Sequence, residues 1–176
     1  VSDDWAADTF RDVSAALRMT DEELLEARDA ERRALIRAIA IRQGLGDAWA
    51  DEAIRSDRPI VTWTRRIVEY KRLERFADLL TDPAMRDRFI ESGAIFIFGG
   101  RIHQDDPYGI RQYERIQSAI TTDPRLYGRV IFFQNYNIDD ARRYLKRGTG
   151  LDIMAADDNR EASATGLHKT QKNGGL

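Results

Sequence analysis

Ala94-Ile95-Phe96-Ile97-Phe98-Gly99-Gly100 decides the fold. Five apolar residues follow one another without a polar break and stop at two glycines. A strand with one wet face alternates apolar and polar residues, whereas an unbroken apolar run is buried on both faces, as in a parallel sheet covered by helices. The same texture recurs on either side. Ile60-Val61-Thr62-Trp63-Thr64 is a β-branched and aromatic run after Pro59, and Val130-Ile131-Phe132-Phe133 is a second buried run. Leu151-Asp152-Ile153-Met154 is a weaker fourth strand. Between and after them lie helical stretches: Lys71 to Leu80, a helix opened by Asp82-Pro83, Tyr108 to Thr121, Ile138 to Lys146, and Gly166 to Lys172 before Asn173-Gly174. Strand and helix alternate four times, which predicts an α/β fold with a parallel sheet, right-handed crossovers and ligands beyond the carboxyl ends of the strands.

Upstream, residues 1–45 read as two helices. Thr20-Asp21-Glu22-Glu23 has the form of a capping box, apolar residues from Leu24 to Ile41 follow at helical spacing, and Gly44 is a stop. Asp47 to Pro59 reads as a short, less regular link. The chain thus divides into a helical lead-in, 1–58, and a sheet region, 59–176. A net charge of −2 argues against a general nucleic-acid binder. The absence of cysteine excludes disulfides and thiolate metal sites. No apolar run approaches the ~18 residues that span a bilayer, and the acidic start is no signal peptide, so no membrane partner and a cytoplasmic location are expected. The chain begins at Val1 without Met and ends just past its most suggestive motif, which predicts a piece of a longer protein.

Chemistry collects at the strand ends. After the first strand come Arg65, Arg66, Lys71 and Arg72; after the second, Gly99-Gly100-Arg101-Ile102-His103; after the third, Gln134-Asn135-Tyr136-Asn137; after the fourth, Ala155 to Gly166. Four cations within eight residues are either a solvated basic face or a phosphate site. Arginine offers a planar fork for phosphate oxygens and lysine a mobile charge, and a helix N-terminus beside them is expected to add free N–H donors. Ser163-Ala164-Thr165-Gly166 before a helix has the composition of an oxyanion cradle, or of an ordinary N-cap. His103 with Asp105-Asp106 lacks a second nearby histidine, so no metal is expected, and Gly99-Gly100 does not complete a dinucleotide fingerprint.

Two motifs carry a resemblance to a known family. Trp63-Thr64-Arg65-Arg66-Ile67-Val68-Glu69-Tyr70-Lys71-Arg72 is similar to the R-I-x-E-Y-K-R segment of the glycogen, starch and α-glucan phosphorylases. Glu161-Ala162-Ser163-Ala164-Thr165-Gly166-Leu167-His168-Lys169 resembles their E-A-S-G-T-G/S-x-M-K, and Asn173-Gly174 continues the match. Phe98-Gly99-Gly100-Arg101 looks like their strand and G-K turn, and Asn135-Tyr136 like their E-N-Y. The resemblance implies the Rossmann-like C-terminal half of a two-domain GT-B glycosyltransferase fold. It implies retaining phosphorolysis of an α-1,4-glucan to glucose 1-phosphate with pyridoxal 5′-phosphate. By this match Lys169 carries the cofactor, with Thr165, Gly166, Lys71, Arg65 and Tyr136 around the cofactor phosphate. Arg66 binds the substrate phosphate, while Glu161, Ser163 and Ala164 lie at the sugar; Arg66, Lys71 and Lys169 are the catalytic set. The implied partners are an α-glucan or oligosaccharide, inorganic phosphate or a sugar 1-phosphate, an N-terminal domain of the same protein, and a second copy in a homodimer. Ala164 in place of glycine, Leu167-His168 in place of a small or polar residue and methionine, and Asn137 in place of a basic residue depart from the pattern and bear on substrate identity. Two rival expectations use the same residues: a nucleotide-sugar glycosyltransferase of this architecture, and a non-catalytic carbohydrate-binding or regulatory domain.

Overall fold

The computed structural model describes residues 19–134, 136, 137, 139 and 145–156. Helix α1 (Asp21–Gln43) starts on the expected capping box: Glu23 N–H donates to Thr20 Oγ1 at 3.2 Å, and Thr20 N–H donates to the Glu23 carboxylate at 2.8 Å. It ends at Gly44, which takes a left-handed φ of 64°. The stretch read as irregular is instead a second helix, α2 (Gly46–Arg55). Ala50 and Ala53 are fully buried on its inner face, with Trp49 and Ile54 packed beside them. Small alanines among acidic residues make a weak apolar stripe, and packing against α1 decides the helix.

Strands β1 (Ile60–Thr64), β2 (Ile95–Gly100), β3 (Val130–Gln134) and β4 (Leu151–Asp152) form one parallel sheet in the order β3-β2-β1-β4. The four strands and the α/β class agree with the sequence. Helices α3 (Glu74–Thr81) and α4 (Pro83–Glu91) connect β1 to β2, α5 (Pro107–Thr122) connects β2 to β3, and the short α6 (Lys146–Gly148) precedes β4. The expected helix from Lys71 to Leu80 is divided. Glu69–Lys71 is a single 3-10 turn, Arg72 sits at φ 60°, and α3 begins only at Glu74. The expected helices Ile138 to Lys146 and Gly166 to Lys172 fall mostly or wholly outside the described residues.

Side-chain alternation along the strands builds two cores. Ile60, Ile95, Ile97, Ile131 and Phe133 meet Leu35, Ile36 and Ile39 of α1 and the alanines of α2. On the other face Trp63, Phe96, Phe98 and Val130 meet Leu73, Phe76, Ala77 and Leu80 around α3 and Ile116 and Ala119 of α5. Phe76 stacks on Phe96, and Phe98 on Phe132. From β1 to β3 the chain steps outward with its helices on the second face. To reach β4 it must step back past β1, and a right-handed crossover then runs over the first face. There α6 lies against α1: a Cβ on Gly148 would come within 2.6 Å of the Glu31 carbonyl oxygen, and Arg147 pairs with Glu31 at 2.6 Å. The order therefore reverses between β1 and β4, and the carboxyl end of β1 lies at that reversal. No helix among the described residues is long and apolar enough to cross a membrane.

Candidate phosphate-binding site

The loop after β1 is held by its neighbour. Arg65 N–H extends the ladder by donating to the Gly99 carbonyl at 3.0 Å, and the chain then crosses directly over the end of β2. A Cβ on Gly100 would lie 2.6 Å from Ile67 Cγ1 and 2.7 Å from the Arg65 carbonyl oxygen. Only glycine permits that approach. Ile67 is buried in the second core, so the residues on either side of it are fixed at the carboxyl edge. The turn Glu69–Lys71 closes with Arg72 N–H donating to the Glu69 carbonyl at 2.9 Å. It folds Lys71 back under the loop, where only 6% of the residue is exposed.

Three cations meet here. Arg65 is partly buried against Met154 Sδ, and its guanidinium carbon lies 6.0 Å from the Trp63 ring. Burial lowers its pKa, and Asp152 and Tyr70 offset the shift. Asp152, on β4, is itself buried and accepts from Thr62 Oγ1 at 2.8 Å. It brings β4 and a countercharge to the point where the strand order reverses. Arg66 is exposed and donates to Tyr70 Oη at 3.3 Å. Lys71 Nζ lies 4.7 Å from the centre of the Tyr70 ring. Its pKa is lowered by burial first, then by the like charges of Arg65 and Arg66. A bound phosphate would offset both penalties on Lys71, since an adjacent anion favours its charged form.

The expected helix donors are occupied. In α3, Glu74 N–H donates to Tyr108 Oη at 3.3 Å, Arg75 N–H to the Arg72 carbonyl at 3.2 Å and Phe76 N–H to the Leu73 carbonyl at 3.0 Å. Tyr108 also donates to the Glu74 carboxylate, and burial together with that bond raises its pKa. At α5 the Asp106 carboxylate accepts from Tyr108 and Gly109 N–H at 3.1 and 3.2 Å. Neither helix start is open to an anion, so the site is one of side-chain cations. This corrects the expectation of free N–H groups beside the cluster. The left-handed Arg72 and the caps are what fill those positions.

Of the residues singled out from sequence, Arg65, Arg66 and Lys71 come together. Tyr136 follows β3, two strands from β1 on the same edge, where it packs against the first core with its Cβ 3.4 Å from where a Cβ on Gly99 would be. Arg72 faces Glu74 at 3.8 Å. His103 Nδ1 accepts from Asp105 N–H at 3.3 Å, and both side chains are exposed. Glu161, Ser163, Ala164, Thr165, Gly166 and Lys169 lie outside the described residues, as does Asn135. Tyr70 and Asp152 were not singled out. Tyr70 stands four residues after Arg66 and one before Lys71, and Asp152 is a carboxylate inside an apolar strand; both positions are visible in the sequence. Two grooves lie away from this edge. One, of about 500 Å³ between α3, α4 and α5, is lined by Arg86 and Arg115, already engaged by Asp123 and Asp78. The other, of about 480 Å³, runs along β3 beside Tyr113 and Tyr127. Among the described residues no three His, Asp or Glu side chains gather as a metal site would require. No protein-family model matches this chain, and no curated protein matches it closely enough to count as a relative.

Proposed function

We propose that the carboxyl edge of this sheet binds two phosphates, that of pyridoxal 5′-phosphate and that of a substrate. The chain is then the cofactor half of a retaining, cytoplasmic α-glucan phosphorylase of GT-B architecture, acting on an α-glucan and inorganic phosphate. The observation that carries the proposal is Lys71: a buried lysine beside two like charges, at the place where the strand order reverses. Open parallel sheets bind ligands at such reversals, and like charges gathered in a partly buried position are stabilised by an anion between them.

The residues present fit a phosphate group. Lys71 and Arg65 supply buried and partly buried charge, Tyr136 lies on the same edge, and Asp152 of the neighbouring β4 is a countercharge to Arg65. Lys169, Thr165 and Gly166 complete the cofactor set by sequence, with Glu161, Ser163 and Ala164 at the sugar. When bound, the cofactor supplies a phosphate that exchanges a proton with the substrate phosphate. The protein's task is to hold two anions close together, which Arg66 does from the exposed side and Lys71 from the buried side.

Calorimetric titration of the full chain tests the division of labour. Arg66→Ala should weaken inorganic phosphate by about tenfold or more, the scale of a charge-assisted hydrogen bond, and leave pyridoxal phosphate retention nearly intact. Lys71→Ala should weaken pyridoxal phosphate by a similar factor. Wild-type affinity for both ligands in both variants would reduce the cluster to a solvated face.

A further inference from the structure

We propose that Tyr70 is the positioning residue that divides this cation cluster into two anion subsites. Its two ends do different things. The hydroxyl oxygen accepts from the Arg66 guanidinium at 3.3 Å, and the ring face lies 4.7 Å from Lys71 Nζ. One side chain thus touches two of the three cations, and it stands between the exposed Arg66 and the buried Lys71.

The chemistry of a phenol suits this place. Three positive groups within one loop repel each other and would spread into solvent. A ring face attracts an ammonium through its quadrupole without neutralising it. A hydroxyl oxygen accepts from a guanidinium and keeps its own proton to donate. A carboxylate here would quench the cluster and compete with an anionic ligand, whereas an aliphatic side chain would hold neither cation. The backbone supports the arrangement: Tyr70 is the central residue of the 3-10 turn Glu69–Lys71, and that turn is closed by the left-handed Arg72. Arg66 and Tyr70 are four residues apart but not on one helix, so their bond belongs to this loop conformation and not to helical periodicity. Removing the hydroxyl should therefore release Arg66 alone, and removing the ring should release both cations.

This inference rests on the phosphate-site proposal above, and the two fail separately. The full chain is titrated with inorganic phosphate and with pyridoxal phosphate, for wild type, Tyr70→Phe, Tyr70→Leu, Arg66→Ala and Lys71→Ala. Tyr70→Phe should weaken inorganic phosphate about three- to tenfold, the scale of one hydrogen bond, and shift pyridoxal phosphate by less than about twofold. Tyr70→Leu should weaken both ligands. Proton NMR gives an independent readout: the ring-current shift of the Lys71 ε-methylene should persist in Tyr70→Phe and vanish in Tyr70→Leu. If both tyrosine variants bind like wild type while Arg66→Ala and Lys71→Ala lose affinity, the phosphate site stands and the role of Tyr70 is overturned. Equal losses of both ligands in Tyr70→Phe would also overturn it, because a merely structural residue behaves that way. If wild type binds neither ligand, the phosphate-site proposal falls and takes this one with it.

Discussion

Gly100 has no room for a methyl group, and at the scale of single residues it does more than any charge to place the site. Its absent Cβ is what lets the Arg65 carbonyl and Ile67 cross the end of β2. Gly100→Ala should cost about 1–3 kcal/mol, as overpacking does, and should weaken phosphate binding because the loop carries Arg65 and Arg66. Gly99→Ala meets only side-chain atoms of Phe133, Thr64 and Tyr136, at a tight 3.3–3.4 Å that a shift of a few tenths of an ångström relieves, and should cost less than Gly100→Ala, about 1 kcal/mol. Thermal melts and phosphate titration of the two variants measure this; equal effects would contradict it. From sequence, Gly99-Gly100 is legible as the end of a buried strand. Which of the two glycines is needed is not, because the answer depends on a loop thirty-odd residues earlier in the chain. Likewise Arg65, Arg66 and Lys71 are legible as candidates, whereas the burial of one beside the exposure of another is a property of the turn. The candidates from Glu161 to Lys169 stand on their motif alone.

At the scale of elements, the turn from α5 into β3 is closed by one carboxylate. Asp123 accepts from Arg125 N–H, Nε and Nη2 at 3.1, 2.9 and 2.6 Å, and pairs with Arg86 at 3.1 Å. Arg125 reaches onward to Asp87 on α4 at 2.8 Å, so the network ties α4 to the base of β3. The Arg125 bonds hold the Asp123 pKa down to about 2 from its ordinary 3.8. A depressed carboxylate stabilises the fold fully above its unfolded pKa and loses that contribution as pH falls through its folded value. Asp123→Asn should therefore melt below wild type at pH 7, and the gap should close between about pH 4 and pH 2. A gap unchanged across that window would contradict it. The strands and most helices were legible because burial writes itself into composition: unbroken apolar runs for β2 and β3, and Pro after Asp for α4. Two features were not. Helix α2 presents mainly alanines to the core, too weak a stripe to read. The helix expected from Lys71 is interrupted by a left-handed arginine, a conformation that side-chain pattern does not signal.

At the scale of the whole molecule, alternation of strand and helix implies a parallel sheet but not its order. The order β3-β2-β1-β4 comes from pairings between residues some thirty-five to ninety positions apart, and no local pattern encodes it. The order matters because it sets the reversal beside β1, so that the basic segment leaves β1 at the point where β4 brings up Asp152. The phosphorylase proposal joins that segment to a tail motif ninety-odd residues away, and the joining is its central claim. The direct test is borohydride reduction of the full chain after incubation with pyridoxal phosphate, followed by digestion and mass spectrometry. The four lysines, Lys71, Lys146, Lys169 and Lys172, are each an internal control. The proposal predicts a pyridoxyl group on Lys169 alone, with labelling reduced in Lys71→Ala and abolished in Lys169→Ala while both variants stay folded. No label on Lys169, or label spread evenly over the lysines, together with binding of a nucleotide sugar in its place, would contradict the proposal.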